Sequence, residues 1–110
     1  DTYGHEAGDY VLETLAKLMK EFMKDKGMVA RWGGEEFIVL SENNKSAEII
    51  EEVRSRIASA PFEYDGKSIV VTITAGVSHY ENDMSVDEWI KSADNKMYEG
   101  KRATKNVVIY

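Results

Sequence analysis

Residues 28–40 read MVARWGGEEFIVL, which is two strand-like runs joined at a pair of glycines. Glycine adopts the positive backbone dihedrals that a two-residue turn of the primed type requires, so the stretch predicts a β-hairpin turning at Gly33 and Gly34. Two carboxylates, Glu35 and Glu36, follow the turn directly. Because glycine lacks a Cβ, a ligand has room to approach the backbone beside these acids.

The two carboxylates admit two interpretations. Carboxylate oxygens are ligands that Mg²⁺ and Mn²⁺ prefer, so either Glu35 or Glu36 can hold a divalent ion. Because successive strand residues point to opposite faces, we expect at most one of them to be the direct ligand of a given ion. The alternative is an acidic hairpin that is simply solvated, and the isolated motif does not separate the two.

Apolar spacing predicts three helices around this hairpin. Steps of three and four residues predict a first helix over residues 8–26, in which Asp9 is an N-cap or first-turn acid. A second apolar stripe runs over residues 47–57 and is closed by Pro61. A third helix is predicted to start at an N-cap, Ser85, with a glutamate three residues on in a capping-box pattern.

The remaining patterns predict strands. Alternating apolar residues over 69–77 predict one long strand, residues 63–66 a turn before it, and residues 107–110 a short last strand. Helices separated by strands in this order predict an α/β (α+β) domain with helices packed on a mostly antiparallel sheet. Since the chain opens on a loop leading straight into a helix, we expect the first strand of the α/β unit to be missing.

Composition excludes several classes of protein. The 110 residues, 43% hydrophobic and 31% charged, suit one compact globular domain. A net charge of -6 does not suit binding to a nucleic acid polymer, and the absence of cysteine excludes disulfides and thiolate metal sites. No apolar run approaches the roughly 20 residues that span a bilayer. We therefore expect a cytoplasmic location and no membrane contact by this chain. A membrane anchor upstream in a longer parent protein is compatible with this expectation.

Several blocks of sequence occur together and in order, and they identify a family. They are residues 1–9, the hairpin, residues 72–77, residues 93–101 and residues 105–106. Together they resemble the GGDEF family of diguanylate cyclases throughout residues 1–110, which then form a single partial GGDEF domain. The resemblance implies a nucleotidyl-cyclase palm-like (ferredoxin-like) fold. It also implies condensation of two GTP molecules into cyclic di-GMP and pyrophosphate, by phosphoryl transfer assisted by Mg²⁺ or Mn²⁺.

The resemblance also implies catalytic roles at the hairpin. By matching position, Glu35 is the metal ligand whose loss should abolish turnover, and Glu36 supports the same metal cluster. Gly33 and Gly34 let the nucleotide lie over the turn. Arg31, just before the glycines, is expected to be structural.

Three further residues match substrate-binding positions of the family. Asp9 matches the residue that recognises guanine, whose Watson–Crick edge presents two donors to a carboxylate. Its alternative role is the helix cap, and the two are compatible. Lys101 and Lys105 match the triphosphate contacts, although cations near a helix end also merely complement its dipole.

The family pattern includes a preceding strand that carries a metal-binding aspartate, and this strand lies outside the 110 residues. We therefore expect the fragment to be weakly active or inactive. Unpaired strand edges beside the gap favour a homodimer or a strand-exchanged oligomer, and joining two GTP molecules also needs two facing domains. The alternatives are a non-catalytic domain that binds GTP or cyclic di-GMP for regulation, and a bare structural or dimerisation domain.

Overall fold

The computed structural model describes residues 4–24, 26–42, 45–59, 62–81 and 83–110. The elements in this part of the chain are α1 Gly4–Phe22, β1 Gly27–Gly33, β2 Glu36–Ser41, α2 Ser46–Ser59, β3 Phe62–Tyr64, β4 Lys67–Ile69, β5 Thr74–His79, α3 Val86–Ala103 and β6 Val107–Ile109. Residues 1–3 of the family-like opening block and the predicted helix terminator Pro61 lie outside the described residues.

The main sheet has the strand order β1-β2-β5-β6. The predicted α/β class, with helices packed on a palm-like sheet, is confirmed. The expectation of a mostly antiparallel sheet is wrong, because only β1 and β2 pair antiparallel whereas β2–β5 and β5–β6 are parallel. The physical reason lies in the connections: α2 lies between β2 and β5, and α3 between β5 and β6, and such helical crossovers return the chain in the same direction.

The sheet is continuous where a gap was expected. Strands β2 and β5 pair directly, from Glu36 opposite Thr74 to Ser41 opposite His79. The predicted unpaired edges beside a missing strand are therefore wrong, since these two strands satisfy each other's backbone groups. Strand exchange through such edges loses its structural basis.

The predicted long strand over residues 69–77 is divided in two. Strand β4 ends at Ile69 and pairs with β3 in a separate two-stranded sheet, while β5 begins at Thr74. The residues between them include Val71 and Ile73, which are buried in the core although they belong to no strand. Their alternation therefore reflects burial against the helices rather than pairing in a sheet.

The turn predicted over residues 63–66 is shorter than expected. Glu63 lies in β3, and the turn consists of Asp65 and Gly66, whose φ angles are 51° and 75°. Two successive positive φ angles are typical of a type I′ hairpin turn, for which Asp-Gly is a preferred pair.

Helix α1 is displaced toward the N-terminus from its predicted bounds of residues 8–26. It begins at Gly4 and ends at Phe22. The early start buries Ala7 completely, so packing extends the helix past the predicted cap. Asp9 therefore lies inside the helix, and its predicted role as an N-cap is wrong.

The two faces of the sheet are covered by different helices. Alternation along β2 sends Phe37 and Val39 into the core that contains the apolar faces of α1 and α2, whereas Ile38 and Leu40 pack against α3. Helix α3 begins with the predicted capping box at Ser85. None of the helices in the described residues has both the length and the apolar character needed to cross a bilayer.

A glycine in β5 brings α3 close to the sheet. A Cβ built on Gly76 would lie 2.1 Å from the Ala93 carbonyl oxygen and 2.3 Å from the Met97 nitrogen. A larger residue would push the helix backbone away from the strand. This close packing places the last turn of α3 beside the start of β2.

Candidate functional site

A cleft of about 370 Å³ lies between the hairpin, the N-terminal half of α1 and the end of α3. Its lining residues are Gly8, Asp9, Leu12, Gly34, Glu35, Glu36, Thr74, Lys101 and Lys105. The structure thus brings together every predicted site residue except Gly33. Sequence reasoning missed Gly8, Leu12 and Thr74. Helical spacing could have found Leu12, which lies three residues after Asp9, and then Gly8, which lies four residues before Leu12. Thr74 reaches the cleft only through strand pairing.

The hairpin turns one residue later than predicted. Gly33 pairs with Glu36, so the turn consists of Gly34 and Glu35 rather than of the two glycines. Gly34 has a φ of 33°, in the region that favours glycine. Glu35 therefore lies in the turn and is exposed, while Glu36 opens β2 and is half-buried. Because Glu35 does not belong to a strand, strand alternation does not apply to it. The expectation that Glu35 and Glu36 point to opposite faces of a strand therefore does not hold.

Lys101 and Glu36 form an ion pair across the cleft, with 2.7 Å between Lys101 Nζ and Glu36 Oε2. The hydrogen bond to Glu36, and then the negative charge of that carboxylate, raise the pKa of the Lys101 ammonium. Lys101 lies in the last turn of α3. The pair therefore joins the helix end to the hairpin and keeps a cation beside the carboxylates at neutral pH.

Arg31 connects two walls of the cleft. Its Nη2 donates a hydrogen bond to Asp9 Oδ1 at 3.0 Å, and its Nε donates to the Gly34 carbonyl at 2.6 Å. One guanidinium thus ties α1 to the hairpin turn. These contacts agree with the structural role expected for Arg31, and they orient the Asp9 carboxylate.

The loop after α3 holds Lys105. The Lys105 nitrogen donates a hydrogen bond to the Gly100 carbonyl, and the following Asn106 nitrogen donates to Thr74 Oγ1 at 3.1 Å. The Thr74 nitrogen in turn donates to the Glu35 carbonyl at 3.0 Å. Strand β5 therefore connects the backbone of the lysine loop to that of the acidic turn. Neither the Lys105 ammonium nor the Glu35 carboxylate forms an ion pair with another described residue.

The donor set suits a metal ion that arrives with a ligand. Within the described residues, no group of three or more acidic, histidine or cysteine side chains is placed to hold a metal by itself. Mg²⁺, however, is commonly bound by one or two carboxylates together with water and substrate phosphates. Glu35 and Glu36 supply such a pair at the cleft. The residues present therefore fit Mg²⁺ or Mn²⁺ that is bound together with a phosphate-bearing ligand.

Comparison with known proteins finds one family. The family model described as "Diguanylate cyclase, GGDEF domain" matches residues 1–107. The chain is similar to Diguanylate cyclase A of Treponema denticola, with 42% identity over 98% of the chain and 30% of that protein. It is also similar to two Pseudomonas aeruginosa proteins. Diguanylate cyclase DgcP is 32% identical over 96% of the chain and 16% of its own length, and cyclic di-GMP phosphodiesterase NbdA is 30% identical over 96% and 14%. The chain thus spans less than a third of each of these relatives.

Proposed function

Because the chain belongs to the GGDEF family of diguanylate cyclase domains, we propose that it is the cyclase domain of a protein that condenses two GTP molecules into cyclic di-GMP and two pyrophosphates. The 110 residues by themselves are proposed to be weakly active or inactive. The observation that supports the proposal is the composition of the cleft, where Asp9, Glu35 and Glu36 lie together with Lys101 and Lys105. A nucleoside triphosphate needs cations for its phosphates, carboxylates for its divalent ion and an acceptor for guanine, and one cleft supplies all three.

Asp9 is proposed to recognise the guanine base of GTP. A carboxylate offers roughly four acceptor sites, and Arg31 uses one of them through Asp9 Oδ1. The remaining sites can accept hydrogen bonds from the ring N–H and the exocyclic amine of guanine. Adenine has no such donor pair on its Watson–Crick edge, so this contact favours GTP over ATP.

Lys101 and Lys105 are proposed to hold the triphosphate. The Lys105 ammonium has no ion pair among the described residues and can approach a phosphate directly. The Lys101 ammonium has three donors, so it can contact a phosphate while still donating to Glu36. Gly33 and Gly34 keep side chains away from the hairpin, so the nucleotide can lie over it.

Glu35 is proposed as the direct metal ligand, and Glu36 as the carboxylate that supports the same site. A bound Mg²⁺ or Mn²⁺ supplies positive charge that offsets the negative charge developing on the α-phosphate when a ribose hydroxyl attacks it. Glu35 suits this role because its carboxylate is exposed in the turn and pairs with none of the described cations.

The product contains two guanosine units, whereas this domain offers one cleft of this composition in its described part. We therefore propose that two copies face each other as a homodimer, each contributing one GTP, in the cytoplasm where GTP is available. Attack by each ribose on the other nucleotide then needs both copies.

The second candidate is a domain that binds GTP or cyclic di-GMP without turning it over. One relative that aligns with 96% of the chain is named a cyclic di-GMP phosphodiesterase, so similar domains also occur in proteins named for the opposite reaction. Nucleotide binding that is unaccompanied by product formation favours this candidate.

The test measures cyclic di-GMP made by the full-length protein from GTP with Mg²⁺ or Mn²⁺. We expect product from the wild type and from Glu48→Gln, a control at an exposed acid of α2. Glu35→Gln should lower the rate about 100-fold or more, the usual consequence of losing an electrostatic catalytic group. A Glu35→Gln rate equal to wild type contradicts the assignment of the site. Wild-type protein that binds GTP in calorimetry but forms no product supports the second candidate.

A further inference from the structure

An arginine of α2 contacts the loop that carries Lys105. Arg54 Nη1 donates hydrogen bonds to the Asn106 side-chain oxygen at 2.8 Å and to the Asn106 carbonyl at 3.3 Å. The Arg54 side chain is only 18% exposed. Of the described residues that line the cleft, none belongs to α2, so Arg54 acts on the loop from outside the substrate site.

The guanidinium of Arg54 is itself held in place. Glu51, one turn earlier on α2, accepts its Nε at 2.8 Å and its Nη2 at 2.7 Å. Such a two-point pair between arginine and a carboxylate fixes the plane of the guanidinium as well as its position. Nη1, the nitrogen that does not contact Glu51, therefore donates to Asn106 with its orientation already set.

The loop needs such support because its backbone is unusual. Lys105 and Asn106 have φ angles of 53° and 47°, so two successive residues with side chains adopt the left-handed conformation. Asparagine adopts this conformation more readily than most residues, but a lysine there is uncommon, and two such residues in succession are favoured where the surrounding structure holds them. Asn106 is held on both sides, by Arg54 from α2 and by Thr74 Oγ1 from β5.

We propose that Arg54 is a positioning residue that holds the left-handed turn at Lys105 and Asn106, and thereby places the Lys105 ammonium for the substrate triphosphate. The inference rests on the proposed function, since it assigns Lys105 to phosphate binding. Arg54 touches neither the nucleotide site nor the reacting atoms, so its effect on substrate passes through the turn.

The first test compares two arginines of α2 in the full-length protein. Arg54→Gln removes the contacts to Asn106, while Arg56→Gln removes an ion pair to Glu52 whose arginine is 79% exposed. We expect the KM for Mg²⁺-GTP to rise about tenfold in Arg54→Gln, the order of effect of one weakened charged contact. The kcat should change less than the KM, and Arg56→Gln should resemble wild type.

A mutant cycle separates positioning from a general loss of stability. If Arg54 acts through Lys105, then in a Lys105→Met background the further change Arg54→Gln should alter KM less than about twofold. A merely structural arginine would lower activity by the same factor in both backgrounds, and that result overturns the proposal. If Arg54→Gln does not fold, Arg54→Lys replaces it in the same cycle, since lysine keeps the charge but loses the two-point grip.

Hydrogen exchange of the Asn106 amide tests the turn without any activity. The exchange rate should rise about tenfold or more in Arg54→Gln and stay unchanged in Arg56→Gln. The reason is that the hydrogen bond from the Asn106 amide to Thr74 Oγ1 depends on the conformation of the turn. Equal rates in the two variants overturn the proposal. A third outcome is faster exchange in Arg54→Gln in a protein that neither binds nor converts GTP. That result would show that Arg54 holds the turn, but it would overturn the proposed function and the role assigned to Lys105.

Discussion

Lys101 Nζ lies 2.7 Å from Glu36 Oε2, so the last turn of α3 and the first residue of β2 are joined inside the cleft. Both residues are proposed to act in the site, and each neutralises the charge of the other. A triphosphate with its metal ion brings a negative charge for Lys101 and a positive charge for Glu36. We therefore expect the pair to be shared with a substrate, a role that substitution of Lys101 tests.

We predict that Lys101→Met weakens substrate binding without unfolding the protein. The change removes a phosphate contact and leaves Glu36 without its partner, so the KM for Mg²⁺-GTP should rise about tenfold or more. Thermal stability should stay close to wild type because both side chains are partly exposed and such pairs contribute little. Lys91→Met, at an exposed position of α3, is the control. Equal KM values for the two variants would refute the phosphate role.

The ion pair between Glu51 and Arg54 should make stability depend on acid pH. The hydrogen bond from Arg54 lowers the pKa of the Glu51 carboxyl. A carboxyl whose pKa is lower in the folded state than in the unfolded state stabilises the fold above the unfolded-state pKa, about 4.3. This stabilisation is lost as the pH falls through the folded-state pKa. The stability difference between wild type and Glu51→Gln should therefore be present at neutral pH and vanish in acid.

Urea denaturation over a series of pH values measures that difference, and Glu52→Gln provides the comparison because its ion pair with Arg56 is more exposed. A Glu51→Gln difference that persists unchanged below the folded-state pKa would show that the stabilisation does not come from the ionised carboxylate.

We predict that Arg31→Lys reduces the selectivity for guanine. Lysine keeps the positive charge but cannot bind Asp9 and the Gly34 carbonyl with two fixed donors. Competition between GTP and ITP, which lacks the exocyclic amine, measures the contact at Asp9. The wild type should prefer GTP by about tenfold or more, as expected for one hydrogen bond to a charged group. In Arg31→Lys the ratio should fall toward one, and an unchanged ratio would mean that Arg31 does not orient Asp9.

Gly76→Ala should destabilise the domain because the new methyl group would meet the backbone of α3 at Ala93 and Met97. Overpacking of this kind costs about 1–3 kcal/mol. Gly8→Ala is the control, since a Cβ there meets nothing within 4 Å and alanine favours the helix. Free energies of unfolding from urea titration should fall in the first variant and stay level or rise in the second. A Gly76→Ala protein as stable as wild type would show that α3 can move away at no cost.

Prediction from sequence succeeded where the signal is local. The capping box at Ser85, the apolar stripe of α2 and the glycine hairpin each involve residues within a few positions of one another, and all three are present. The Asp65-Gly66 turn has an equally local signal and lies within the turn predicted over residues 63–66, whereas the short strands on either side of it were not predicted. The start of α1 was misplaced because Ala7 gains its helical place from burial against the core rather than from a capping residue.

Local patterns of this chain determined its family, its α/β class and the residue types of the candidate site, because periodicity, turn chemistry and motif spacing are properties of short segments. The three-dimensional fold alone decided that β2 pairs with β5, that Thr74 supports Glu35 and that Arg54 reaches Asn106. Those contacts join residues far apart along the chain. Their formation depends on which surfaces are buried together, and no single segment contains that information.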